Sequence, residues 1–327
     1  MRTRTLEDQL IVSLHDAHAL EQMALAQLER APAIAGEDAL KLALRDHFYE
    51  TRVHERLVRE RLEAHGAKPS PLRALAAEAG GAGVVLFARM QPDTPGKLAA
   101  HAFSYEHLEL AAYELLARLA ELAGDHETAV LAHRIRGEEA SMAARLEAVF
   151  PRTAAASLDA GAREDPGERL VAYLDDAHAL EQQAVTLLER AIELGGDAQL
   201  VDAYRGHLDE TRDHLAVVEE LLARRDGGPS RIKDAALRIG ARNLGAFFRA
   251  QADTPGKLAA FAYAFEHLEI GGYEQLRHVA AAAGDAEAVE AAARILGDEQ
   301  AAADALLALF DVAVDASLEA VGAAAHS

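Results

Sequence analysis

Apolar residues recur along this chain at alternating spacings of three and four, which is the signature of helices that bury one face. Residues 6–30 align Leu10, Leu14, Ala17, Glu21, Ala24 and Leu28 on one stripe. Residues 37–64 align Leu40, Ala43, His47, Glu50, His54 and Leu57, and residues 96–122 align Leu98, Ala102, Tyr105, Glu109, Ala112, Leu116 and Leu119. Residues 126–149 align Ala132, Ile135, Glu139, Met142, Leu146 and Val149. Ala, Leu, Glu and Arg dominate these segments, and Gly and Pro fall in a few clusters between them, so the pattern predicts four long helices. Thr94-Pro95 reads as an N-cap followed by proline at the first helical position.

Everything said of the first half holds for the second, because the sequence matches itself without a gap at an offset of 160. DAHALEQ at 16 recurs at 176, DTPGKLAA at 93 recurs at 253, ETRVH at 50 meets ETRDH at 210, and Ala156-Ser157-Leu158 meets Ala316-Ser317-Leu318. A period this long repeats a whole domain rather than a solenoid unit, which divides the chain into domains at 1–160 and 161–327. Helices one and two, and three and four, are joined by short links, whereas residues 65–95 separate helices two and three. One long crossover is the ferritin-like variant of the four-helix bundle, so the expected fold is all-α, two such bundles in tandem.

Composition narrows the function classes. There are 54 acidic and 33 basic residues, for a net charge of −21. With no recurring Lys/Arg stripe, binding to nucleic acid through phosphates is not expected. The absence of cysteine excludes disulfides, thiolate metal sites and thiol nucleophiles, and any metal must be held by oxygen and imidazole. MRTRTLEDQL enters helical pattern without an apolar signal core, and no stretch of about 18 apolar residues offers a membrane span. A cytoplasmic protein is the expectation.

The central feature is a carboxylate in the middle of every apolar stripe: Glu21, Glu50, Glu109 and Glu139, copied as Glu181, Glu210, Glu269 and Glu299. Four ionised carboxylates meeting in a dry interior would repel one another and lose hydration worth several kcal/mol each. Two divalent ions supply the four compensating charges, and neutral imidazoles complete the coordination, which is the logic of a carboxylate-bridged dimetal site in a bundle core. His54 and His214 are the matching imidazole ligands. His47 and His207 either coordinate or support a ligand from one turn away.

Glu106 and Glu266, one turn before Glu109 and Glu269, are ligands in one reading; in the other, Glu106 is a partner of Arg52. His107 and His267 point away from that face, toward a supporting or interface role. His18 and His178 precede the helix-one glutamate by one turn and support it or face solvent. Tyr113 and Tyr273 either donate to a ligating carboxylate or simply pack. His101, His126 and His133 meet Phe261, Ala286 and Ala293 in the copy and have no shared role.

DAHALEQ in helix one, H-x-x-E-T-R-x-H at 47–54 and 207–214, EHLE-[LI]-small-small-Tyr in helix three, and Glu138-Glu139 or Asp298-Glu299 in helix four together resemble the YciE/YciF-type branch of the ferritin-like superfamily. The resemblance covers nearly all of both repeats. It implies a di-iron or other dimetal centre, dimerisation of single-domain members, and a bacterial stress-associated role. By position it points to Glu21, Glu50, His54, Glu109 and Glu139, and to Glu106. Two such domains in one chain imply a monomer that carries the pairing internally, or a homo-oligomer. The broader di-iron pattern has two Glu-x-x-His helices, whereas this chain has Glu50-x-x-x-His54, and Met142 or Ala302 where a second histidine would fall. Iron is the expected metal, with manganese and zinc as the alternatives.

The leading expectation is therefore an oxidoreductase that consumes peroxide or oxidises Fe(II), with metal ions and a small oxidant as partners. Non-catalytic metal binding, or a helical interaction module, are the competing readings.

Overall fold

The computed structural model describes residues 5–70, 94–160, 165–225, 227 and 253–323. Among them are nine α-helices and no strand. In the first repeat these are α1 (Leu6–Arg30), α2 (Asp38–Ala64), α3 (Thr94–Leu122) and α4 (His126–Ala160). The second has α5 (Pro166–Leu194), α6 (Ala198–Ala223), α7 (Thr254–Ala282), α8 (Ala286–Ala308) and α9 (Phe310–Val321). The crossovers expected between helices two and three lie largely outside the described residues. No described helix is long and apolar enough to cross a membrane.

The chain divides into two compact units, one of Met1–Ala160 with Val321–Ser327 and the other of Gly161–Ala320. Within the first, α1 packs on α2, α2 on α4, α4 on α3 and α3 on α1, so four helices close a ring around one core. Helices α5, α6, α8 and α7 form the same ring in the second. The stripes on α1 and α4 are buried as their periodicity predicts. Helix α3 is buried on most of its surface, which its less regular pattern does not reveal.

Two local features differ from the sequence pattern. Helix α4 does not stop near 149 but continues through Pro151, because Phe150, Thr153, Ala154 and Ser157 extend its buried face. Phe150 packs edge-on against Phe103 of α3, with ring centroids 5.2 Å apart, and such burial outweighs the backbone hydrogen bond that proline removes. Thr254, expected as an N-cap, is instead the first helical residue, with Asp253 at the cap and making no side-chain cap bond.

The buried amide in the first turn of that helix is satisfied from elsewhere. Gly256 N donates to Ser317 Oγ at 2.7 Å, and in the first unit Gly96 N donates to Ser157 Oγ at 2.9 Å, both buried. A first-turn N–H has no partner within its own helix, so the far end of α4 caps α3. Replacing Ser157 by alanine leaves a buried donor unpaired and is expected to cost about 1–3 kcal/mol, read as a lower denaturant midpoint with an unchanged slope.

The turn between α1 and α2 is drawn against the same helix start. Gly36 has φ +67°, and a Cβ there would lie 2.7 Å from Pro95 Cγ. Glycine is needed both for the left-handed backbone and for the close approach.

Candidate metal centre

Each ring of helices carries a band of buried ionisable groups at its centre. In the first unit one ligand atom from each of His47, Glu106, Glu109 and Glu139 falls within 4.8 Å of the others, and the same holds for Glu21, His54 and Glu139. The second unit repeats both groups as His207, Glu266, Glu269, Glu299 and Glu181, His214, Glu299. Glu139 and Glu299 belong to both groups of their unit. Each unit thus brings four carboxylates and two imidazoles together from four helices.

The donor atoms of the first unit crowd closely together. His54 Nδ1 lies 2.8 Å from Glu139 Oε1, and His47 Nε2 lies 3.1 Å from Glu139 Oε2 and 3.2 Å from Glu106 Oε2. None of these atoms has a partner in hydrogen-bond geometry, nor do Glu21 Oε2 and both oxygens of Glu109. Buried polar atoms are otherwise nearly always paired. A set of oxygen and nitrogen donors, orphaned together and without thiolate, fits a divalent cation.

Each histidine is oriented from behind. His47 Nδ1 faces Glu50 Oε2 at 2.9 Å, and His54 Nε2 faces Glu138 Oε2 at 2.7 Å. Glu50 is held in turn by Arg145, whose Nη2 donates at 2.7 Å. In the second unit His214 Nε2 faces Asp298 at 3.2 Å and His207 Nδ1 faces Glu210 at 3.4 Å. A carboxylate accepting from one ring nitrogen leaves the other with its lone pair directed inward, an arrangement common behind metal-bound histidines. On the remaining side, the buried Tyr113 and Tyr273 hydroxyls donate to Glu21 Oε1 and Glu181 Oε1.

Glu50 and Glu210 therefore stand elsewhere than the stripe on helix two suggests. Their side chains are 38% and 59% exposed, outside both ligand groups. The cause is the helical repeat. At about 100° per residue, Thr51 lies about 40° to one side of His47, His54 about 20° to the other, and Glu50 about 60° out on that second side. The buried face runs through Leu40, Leu44, His47, Thr51, Val58 and Leu62, which leaves Glu50 at the rim.

Glu106 and Glu266 fill the inward positions instead, buried against His47 and His207, while Arg52 is exposed. His107 and His267 turn away, each donating from Nδ1 to the carbonyl of Phe103 or Tyr263 at 2.8 Å. His18 is buried and pairs with Glu55 at 3.0 Å; His178 faces Glu219 at 3.3 Å.

Protons can neutralise this cluster when no cation does. Burial, reinforced by Glu139, pushes the Glu21 carboxyl up to about 8. Burial likewise raises Glu106 to about 7, and raises Glu109 well above the carboxylate range. Burial opposes ionisation of Glu139 too, but the His47 and His54 rings close beside it prevail and hold it at about 2. Burial also disfavours charge on His54, yet Glu139 and Glu21 raise it to about 9, and the neighbouring carboxylates raise His47 well above its usual value. The second unit shows the same pattern, with Glu181 at about 8, Glu266 at about 7 and Glu299 at about 2.

A family model described as a domain of unknown function, DUF892, matches residues 5–159 and again residues 165–319. No solved structure matches the chain.

Proposed function

The chain belongs to the DUF892 family, and with that membership as premise we propose that each unit is a ferritin-like four-helix bundle built to hold two metal ions, with Glu139 in one unit and Glu299 in the other available to both. The observation that carries this reading is the sharing of one carboxylate between two ligand groups, repeated in both halves. Glu21, His54 and Glu139 would hold one ion, and His47, Glu106, Glu109 and Glu139 the other. Four carboxylates against two divalent ions leave the core neutral, which offsets the cost of burying the acids. Bound iron or manganese would supply one-electron redox chemistry, with peroxide as the oxidant and Fe(II) as a substrate that could donate the electrons. A peroxide-consuming role also fits the stress association that the YciE/YciF resemblance implies.

The chain's own groups prepare the site. Glu50 and Glu138 accept from the outer nitrogens of the two histidines and so fix their tautomers. Tyr113 orients Glu21 and keeps one of its oxygens turned inward. The surrounding Leu10, Leu14, Ile135, Met142 and Leu146, all essentially unexposed, exclude bulk water.

A second reading, a bound ion without turnover, is favoured for the first unit by its closure: Glu21, His47, His54, Glu109 and Glu139 all have 0% exposure. One experiment separates the two. Metal-free protein is loaded with Fe(II) without oxygen, and hydrogen peroxide is then added while absorbance and peroxide concentration are followed. A new near-ultraviolet absorption with peroxide consumption, both lost in the E139Q/E299Q protein, is expected. Stoichiometric iron uptake without either signal would leave only the non-catalytic reading, and no uptake would overturn both.

A further inference from the structure

The two units are not equivalent where their centres approach the surface. In the second unit a cavity of about 230 Å³ lies between α6 and α8 and reaches His207. A water molecule's share of liquid volume is about 30 Å³, so the space suits a small molecule. Three residues of its wall are much smaller than their counterparts 160 positions earlier: Gly206 replaces Asp46, Ala302 replaces Met142, and Ala305 replaces Arg145. A Cβ added at Gly206 would meet nothing within 4 Å. Glycine in the middle of a helix weakens it, and here the room it leaves stays open.

A second, independent feature is Tyr204, which lines this cavity and takes the place of Leu44. Its side chain is 1% exposed, and its hydroxyl has no hydrogen-bond partner. A buried hydroxyl left unpaired costs stability unless a ligand or water completes it. The outer edge carries Asp202 and Glu210, both acidic, which disfavours anions. In the first unit the corresponding route is blocked: Met142 is fully buried, and Arg145 reaches across from α4 to the Glu50 carboxylate.

We propose that the second unit admits a small, neutral, hydrogen-bonding molecule of the size of hydrogen peroxide into this cavity, against the Tyr204 hydroxyl and His207, and that Met142 and Arg145 close the first unit to it. The proposal deepens the peroxide reading by assigning the entry route to one unit, but the cavity and its test do not depend on bound metal.

Because the chain has no cysteine, single thiols report access cleanly. Metal-free full-length A302C and M142C proteins, each verified as folded by circular dichroism, are treated with neutral methyl methanethiosulfonate. The A302C thiol is expected to react at least tenfold faster than the M142C thiol, which Arg145 still screens through its reach to Glu50. Adding A305R to A302C should slow its labelling, and adding R145A to M142C should speed it. Equal rates in the two single variants would overturn the assignment of entry to the second unit. For the anchor, A302C with and without Y204F is oxidised by hydrogen peroxide: the thiolate attacks one oxygen, the O–O bond breaks, and hydroxide leaves with sulfenic acid formed. Y204F is expected to slow this oxidation severalfold while leaving methyl methanethiosulfonate labelling unchanged. An unchanged oxidation rate would remove Tyr204 from the proposal. Failure of iron to bind would leave these labelling results unaffected, so the two readings fail separately.

Discussion

Replacing Glu139 and Glu299 together by glutamine is expected to abolish metal binding at all four positions of the chain, whereas replacing Glu50 and Glu210 only weakens it. Glu139 is the one residue common to both ligand groups of its unit, and the group that stays ionised, at about 2, among neighbours pushed toward protonation. Its amide isostere keeps the volume but supplies neither the charge nor the second anionic oxygen. Removing one member of a buried charge pair costs on the order of 3–5 kcal/mol, which is a hundredfold to several-thousandfold in affinity, at about 1.4 kcal/mol per tenfold.

Glu50 acts from outside, through His47 Nδ1, and loss of such a supporting carboxylate costs about 10–100-fold. Isothermal titration with Mn(II) measures both double variants against the parent. If E50Q/E210Q proved as damaging as E139Q/E299Q, Glu50 would be a ligand after all, and the assignment of Glu106 in its place would fail.

The second large effect is one of pH. In the metal-free protein, Glu21 at about 8 and Glu106 at about 7 lie above their ordinary 4.5. Their contribution to stability is complete below about 4.5 and is lost as pH rises through 7 to 8. His54, raised from 6.5 to about 9, contributes fully below 6.5 and loses that contribution as pH rises through 9. Glu139, lowered to about 2, works in the opposite sense, contributing above 4.5 and failing only as pH falls through 2.

Between pH 5 and 9 the raised groups therefore act together, and the metal-free protein becomes less stable as pH increases. A loss of about 3 kcal/mol corresponds to about two pKa units and lowers Tm by about 6–12 °C for a unit of this size. Metal reverses the slope, since cations displace the same protons and bind more tightly once those have gone. Melting curves of chelated and Mn(II)-loaded protein should diverge steadily from pH 5.5 to 9. Parallel curves would show that the titrating cluster is not where metal binds.

Much of this was legible in the sequence, for identifiable reasons. The helices of α1 and α4 follow a clean 3.6-residue repeat, so Glu21 and Glu139 could be placed in the core from periodicity alone, and the 160-residue offset doubled the signal. Helix α2 misled because alternating steps of three and four treat His47, Glu50 and His54 as equally inward. Thr51, unexposed in the structure and repeated as Thr211, marks the true centre of that face. Helix α3 is buried nearly all round, so no stripe could separate Glu106 from Glu109.

The capping of α3 by Ser157 was out of reach, since it joins residues 61 positions apart. The inequality of the two units is visible in the aligned copies: Met142 against Ala302 reads in sequence as a missing ligand, and its meaning as volume depends on Arg145 and Ala305 standing one turn further along the same helices, α4 and α8.

The shared-carboxylate centre is tested most directly by anomalous diffraction from crystals of the protein soaked in Mn(II). Two peaks are predicted in each unit, one on either side of Glu139 or Glu299, the first bounded by Glu21 and His54 or their copies and the second by His47, Glu106 and Glu109 or theirs. Anomalous signal confined to surface carboxylates, with Tyr113 and the histidines still surrounding unoccupied glutamates, would contradict the account.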